Sequence, residues 1–336
     1  MLRRRLARLL DASGIAGLLL RVRSGWVPML NYHRIHPEPE AQPFDRGVID
    51  ATPAELDRHM AILTRYFTPI GVDQLADHVT HGKPLPERPA LVTFDDGYRE
   101  CLTRALPILQ ARGVRASFFV PTALVSERRA FWWDRLSYLV RTSQAQRLEI
   151  HYPSSMTIDL HAGSESAVRR LLVAFKQTWD IDVERFVEEV GRAAGVAWDR
   201  ALEQRVADEL VLDWGAVRQL AAAGMEIHSH TRTHRILLNL PEAELDSELV
   251  GSRCDIRDAV GRAPRAISYP VGRPIGERPG LVERVQRAGY ELGFSTGVAG
   301  SRARVQPFDI GRVCLDIGTD AAEFRAMLVH PALLAA

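Results

Sequence analysis

The stretch Ala90-Leu91-Val92-Thr93-Phe94-Asp95-Asp96-Gly97-Tyr98 decides the architecture. Its first five residues are apolar or β-branched and show no alternation, after which the chain breaks onto two acids and a glycine. A continuous apolar run of this kind reads as a parallel strand covered on both faces. Acids placed where such a strand ends face the crevice in which α/β folds bind ligands. Adjacent side chains point different ways, so one of Asp95 and Asp96 can hold a metal while the other faces a reacting water. Asp-Gly is also a common turn sequence, so the pair gains its meaning from what ends the other strands.

Working outward, short apolar runs recur at Val27–Tyr32, Ala116–Val120, Met225–His228, Ala266–Tyr269, Glu291–Phe294 and Ile310–Cys314. Helical patterns lie between them at Pro53–Tyr66, Tyr98–Arg112, Trp214–Ala223, Glu242–Val260 and Gly280–Ala288. This alternation predicts a parallel α/β fold. Thr52, Pro53 and Glu55 form a helix start, while Gly113 and Gly224 stand where helices should stop.

Between Val120 and Trp214 the texture changes. FWWDRLSYLV opens a segment of ~90 residues, too long for a simple loop in a compact domain. Two strand-like runs, Leu148–Tyr152 and Met156–Leu160, precede charge-rich helical sequence. The expected organisation is a barrel over 26–336, interrupted by an inserted α/β subdomain at 122–212. Phe131, Trp132 and Trp133 could stack on sugar rings, but the expectation is that they anchor the insertion.

The first 25 residues differ again. Leu2, Leu6, Leu9 and Leu10 fall at helical spacing among Arg3, Arg4, Arg5 and Arg8, followed by the short apolar run Gly14–Leu20. The pattern suits a basic amphipathic helix resting on an anionic membrane surface, or equally a helix packed on the domain. The run is too short to span a bilayer and lacks a small-residue cleavage site. The expected location is the cytoplasm or the cytoplasmic face of the membrane.

With 336 residues, 46% of them apolar and 25% charged, the chain is neither disordered nor collagen-like. A net charge of +1 provides no global field for nucleic acid. Cys101, Cys254 and Cys314 form no CxxC pair and imply no disulfide framework.

Three further motifs end strands. In GMEIHSHTRTH, His230 and His234 are spaced i,i+4, which on a helical turn would place two imidazoles on one face as ligands of one Zn2+-like ion. His228, two residues earlier, reads as a structural histidine. In AISYPVGRP a rigid Tyr-Pro-x-Gly loop offers backbone N–H groups that can wall a sugar site or hold an oxyanion. In VPMLNYHRIH, His33 closes a strand; its ordinary pKa of ~6.5 lets it protonate a leaving amine near neutrality.

TFDDGY, SHTRTH and SYPVG, in this order on successive strands, resemble the polysaccharide deacetylases of the NodB-homology type, a group of carbohydrate esterases. The resemblance runs from about Val27 to Cys314, apart from the insertion. It implies a distorted (β/α)7 TIM-like barrel and the removal of acetyl groups from amino sugars in a polysaccharide or surface glycan. It also implies a divalent cation, Zn2+ first, with Co2+, Ni2+ or Mn2+ as others. By position Asp95 resembles the general base, and Asp96, His230 and His234 the metal ligands. The last strand, DIGRVCLD, lacks the family's usual acid histidine. The opening LNYHRI is similar to the permuted members that deacetylate poly-N-acetylglucosamine, which gives the acid's role to His33. Where relatives carry Arg-Pro-Pro-Tyr this chain has Ser268, Tyr269, Pro270 and Val271, so the base-orienting arginine is missing, with Arg273 the nearest replacement in sequence. Tyr269, Pro270 and Val271 are the expected substrate and oxyanion positions. Rival readings are deacetylation or deformylation of a lipid-linked amino sugar and a barrel that binds glycans without catalysis.

Overall fold

The computed structural model describes residues 2–22, 27–178, 181–297 and 306–330. The expected boundary between the N-terminal helix and the barrel lies outside these residues. The chain divides into two compact units. The first comprises Met1–Pro37, Ile49–Ser126 and Leu212–Ala336; the second comprises Glu38–Val48 and Glu127–Val211.

Seven parallel strands form the first unit's barrel: β1 (Met29–Tyr32), β2 (Pro89–Phe94), β3 (Ser117–Val120), β4 (Glu226–Ser229), β5 (Ala266–Ser268), β6 (Leu292–Thr296) and β7 (Ile310–Cys314). The order around it is β1-β7-β6-β5-β4-β3-β2, and β2 returns to pair with β1. Closure is direct. Leu30 aligns with Val313 on one side of β1, and Met29 to Tyr32 align with Leu91 to Phe94 on the other. All seven strands are the runs anticipated from sequence, and the fold is the expected (β/α)7 TIM-like barrel. An eighth strand, Thr68–Ile70, pairs in parallel with the first half of β2.

Burial explains the runs. Val27, Met29, Leu91, Phe119, Ala266, Leu292, Phe294 and Ile310 share one buried cluster, closed by Ile70, Val72, Leu75 and Ala76. Helix Pro53–Tyr66 starts on the full capping box of Thr52 and Glu55. Gly113 and Gly224 take left-handed backbone at helix ends, as their positions require. The two helical stretches after β2 and β4 are not uniform α-helices: each carries a π-helical segment, Cys101–Ala105 and Ser247–Gly251.

The first helix (Leu2–Ala12) and the second (Ile15–Arg21) pack on the C-terminal helix Ala321–Val329. Among the described residues no helix is long and apolar enough to cross a membrane.

In the second unit, Arg147–Ile150 and Met156–Asp159 form an antiparallel hairpin, and four helices accompany it: Trp132–Thr142, Ser164–Gln177, Val183–Ala194 and Arg200–Leu210. The aromatic run is part of its interior. Phe131 stacks on Trp133 at 4.6 Å between ring centres, and Trp132 stacks on Phe175 at 3.8 Å. Residues Glu38–Val48, which carry no sequence sign of belonging here, are tied in by Asp45 N–H donating to Asp134 Oδ1 at 2.9 Å and by Phe44 stacking on Tyr138.

Candidate active site

Residues that follow the C-terminal ends of β1, β2, β4 and β5 converge at one rim of the barrel, joined from within by a side chain of β7. Asp95 and Asp96 leave β2 in a sharp turn: Asp96 has φ 69° and Gly97 φ 68°. The left-handed turn aims the two carboxylates differently while burying both. Of the six described non-glycine residues with positive φ, four are in this rim: Asp96, Thr231, His234 and Val271. Backbone strain concentrated in this way marks a site whose geometry is imposed by its surroundings.

His230 and His234 do come together, with ring centres 4.7 Å apart, but not on a helical turn. The segment after β4 is an irregular bend, because Thr231 and His234 adopt φ 63° and 58°. The bend is held by Thr231 Oγ1, which accepts from His234 N–H at 3.1 Å. Glu248, in the π-helical segment, accepts from the backbone N–H groups of Arg232 and Thr233 at 2.8 and 2.9 Å. A buried carboxylate therefore shapes the histidine loop from below.

Asp96 Oδ1 lies 3.3 Å from His230 Nε2 and 3.2 Å from His234 Nε2. His230 Nδ1 is 2.9 Å from the Ser268 carbonyl, which can only accept, so this nitrogen carries the proton. With Nδ1 engaged, Nε2 is the His230 nitrogen directed at the carboxylate oxygen. A backbone carbonyl behind a ligand histidine is the usual support of metal sites. Burial would raise Asp96, yet its two histidine neighbours hold it well below the carboxylate range; burial is the main cause that lowers His234. Two nitrogens and one oxygen within 4.8 Å suit a borderline divalent ion such as Zn2+.

A second cluster, Asp73, Glu226 and His228, lies toward the opposite ends of the strands. Arg115 and Arg262 already pair with its carboxylates, at 2.9 Å to Glu226 and 2.5 Å to Asp73. A cation would gain little there. His228 is buried beside Glu226 and Phe119, in keeping with its structural reading.

Asp95 stands apart from the triad, its Oδ2 4.0 Å from His230 Nε2. Its partner is one that sequence reading missed. Arg312, in the middle of β7 and 0% exposed, donates from Nη1 to Oδ1 at 2.8 Å and from Nη2 to Oδ2 at 2.7 Å. Asn31 and Ser268 also donate to Oδ2. The guanidinium is further fixed by Asn31 Oδ1, Thr93 Oγ1 and Ser268 Oγ, and lies over the rings of Phe119 and Phe294. Burial would raise Asp95, but the Arg312 charge leads the causes that bring it down to about 2. Arg273, the replacement nearest in sequence, is exposed and takes no part. The available signal was an arginine inside the apolar run IGRVC. A charge is almost never fully buried without a carboxylate partner.

His33 follows β1. Its backbone N–H donates to Asp50, and its Nδ1 lies 3.1 Å from the same Oδ2. Burial works to lower its pKa, but Asp50, with Asp96 and Asp95 behind it, lifts it to about 10. The side chain remains 23% exposed, so its far nitrogen can reach a substrate.

Tyr269, Pro270 and Val271 follow β5 at the same rim. The Tyr269 side chain turns away into a buried cluster, where its hydroxyl donates to the Phe308 carbonyl at 3.0 Å. Val271 is exposed with left-handed backbone, φ 55° and ψ 13°.

A family model for polysaccharide deacetylase matches residues 82–293. His33 and Arg312 both lie outside that range. A curated relative, the poly-β-1,6-N-acetyl-D-glucosamine N-deacetylase of Escherichia coli K12, is 47% identical over 45 residues, which is 13% of this chain and only 7% of that protein. Among solved structures, the deacetylase PplD of Streptococcus pyogenes in complex with acetate is similar at a TM-score of 0.58 and 15% identity, covering 91% of this chain and 98% of that one. A de-N-acetylase from Aggregatibacter actinomycetemcomitans is similar at 0.58 and 16%, covering 89% and 98%. These two likenesses speak to the fold. Since the family match extends over more than half of the 336 residues and takes in Asp95, Asp96, His230 and His234, the chain belongs to the polysaccharide deacetylase family.

Proposed function

We propose that the protein is a metal-dependent hydrolase that removes N-acetyl groups from amino sugars of a polysaccharide or surface glycan. The observation that carries this reading is one rim holding an ionised carboxylate, Asp95, and a histidine, His33, whose partner Asp50 favours its acid form. Amide hydrolysis needs both: a base for the attacking water and an acid for the nitrogen that leaves.

Asp96, His230 and His234 would hold the divalent ion, which when bound supplies Lewis acidity to the attacking water and the acetyl carbonyl. The remaining work falls to side chains of this chain. Asp95, locked by Arg312, accepts the water's proton from a fixed direction. With a pKa near 2 it is a weak base, so it acts only on water acidified by its surroundings. The backbone N–H at Val271, an exposed residue with left-handed backbone after β5, is assigned to the developing oxyanion. His33 passes its proton to the sugar nitrogen, a leaving group too basic to depart as an anion. Acetate and a free amine are released.

The test is acetate release from a panel of N-acetylated oligosaccharides by Zn2+-reconstituted wild type, beside H230A. Release that depends on His230 supports the reading. Bound metal with no release from any glycan would instead favour a lipid-linked substrate or a glycan-binding role.

A further inference from the structure

The two N-terminal helices are amphipathic in the reverse of the usual sense. A surface helix ordinarily turns its apolar stripe to the core. Here the face toward the domain is polar and thin. Arg4 pairs with Glu323 at 2.8 Å, Arg8 with Asp320 at 2.9 Å and Asp11 with Arg325 at 2.7 Å, around the buried Ala7, Ala16 and Leu20. Leu6, Leu9, Ile15, Leu18, Leu19 and Val22 point outward, with Leu9 67%, Leu18 62% and Val22 58% exposed. They make up six of the ten exposed large apolar side chains among the described residues.

Their spacing is not random. At about 100° per residue, Leu6 and Leu9 on the first helix, and Ile15, Leu18 and Leu19 on the second, each fall within one arc, with Val22 just past the second helix. The exposed Arg5 and Arg21 flank these arcs, and the side chains of Arg4 and Arg8 are themselves more than half exposed. A contiguous apolar stripe left in water is an interaction surface.

We propose that the hairpin Leu2–Arg21 is a membrane-docking surface that lies in the interface of an anionic bilayer, inserting its leucine stripes between headgroups while Arg5 and Arg21 meet lipid phosphates. Charge selects this occupant. A second copy apposed through the same face would bring arginine against arginine, whereas an anionic headgroup layer complements them. Neither helix is long enough to cross, so the attachment is interfacial. The ion pairs to Ala321–Val329 transmit the anchorage to the barrel.

The experiment is co-sedimentation of the full chain with sucrose-loaded vesicles of phosphatidylcholine alone, or with about a third phosphatidylglycerol. Wild type is expected to sediment with the anionic vesicles and to be released in part at high salt. L9D/L18D should lose at least about tenfold in binding, and R5E/R21E should lose the preference for anionic lipid. L9Q/L18Q repeats the test with good helix formers should the aspartates disturb the hairpin. The proposal is overturned if wild type binds neither vesicle, or if wild type and both leucine variants bind alike. It is also overturned if light scattering shows a vesicle-indifferent dimer that L9D/L18D converts to monomer, which would assign the face to self-association.

Discussion

Arg312 and Asp95 are 217 residues apart in sequence and meet end-on inside the barrel, two nitrogens against two oxygens at 2.8 and 2.7 Å. The pair decides both the charge and the direction of the candidate base. R312M would leave Asp95 buried without its cation, which costs about 3–5 kcal/mol when a buried pair is broken. The expected result is a clear fall in thermal midpoint together with loss of turnover. R312K keeps the charge but not the two-pronged geometry, so folding should largely survive while turnover falls at least about tenfold. Thermal unfolding read beside acetate release separates the two effects.

The two adjacent acids should fail in different ways. D96N and H230A remove candidate ligands, so the purified protein should carry substoichiometric metal by elemental analysis. D95N leaves the triad intact and should retain its metal while losing about 100-fold or more in turnover. Equal metal loss in both aspartate variants would contradict the separation of roles.

The pH profile tests His33. Burial alone would lower its pKa, and Asp50 is the leading influence that lifts it to about 10. The acid form is required, so activity should persist at neutral pH and fall as pH rises through that value. D50N removes the main raising influence, and the fall should move to lower pH, with turnover near pH 9 reduced about tenfold. H33Q should slow amide substrates severely but spare an aryl acetate, whose leaving group departs without a proton. Equal loss on both substrates would exclude His33 as the acid.

Removal of divalent ions by a chelator should abolish acetate release, and added Zn2+ should restore it. The restoration should fail in H234A, whose Nε2 faces Asp96 from 3.2 Å in the wild type.

The sequence disclosed the barrel because parallel strands covered on both faces read as unbroken apolar runs. Thr68–Ile70 escaped because it is three residues long and contains a proline. HxxxH named two histidines that the structure does bring together, but in another geometry. Helical spacing was assumed, but Thr231 and His234 are held left-handed by Glu248 and by Thr231 itself, a tertiary constraint that local spacing does not encode. Asp50 was invisible, and the partner of Arg312 unreadable, for a related reason: each acts on a residue that only folding brings near. What sequence conveys well is where strands end. Which distant charge then steadies the groups at those ends is written in the register of the barrel.

The pairing of β1 with both β2 and β7 has a bearing on how the protein becomes competent during synthesis. Every candidate metal ligand has emerged once residue 234 is made, yet the strand that seals the ring and supplies the guanidinium is Ile310–Cys314. A growing or prematurely terminated chain therefore carries all three candidate ligands but presents unpaired strand edges and an unsteadied Asp95. Completion of the candidate ligand set and steadying of the candidate base are thus separable milestones, and a polypeptide stalled between them would be aggregation-prone.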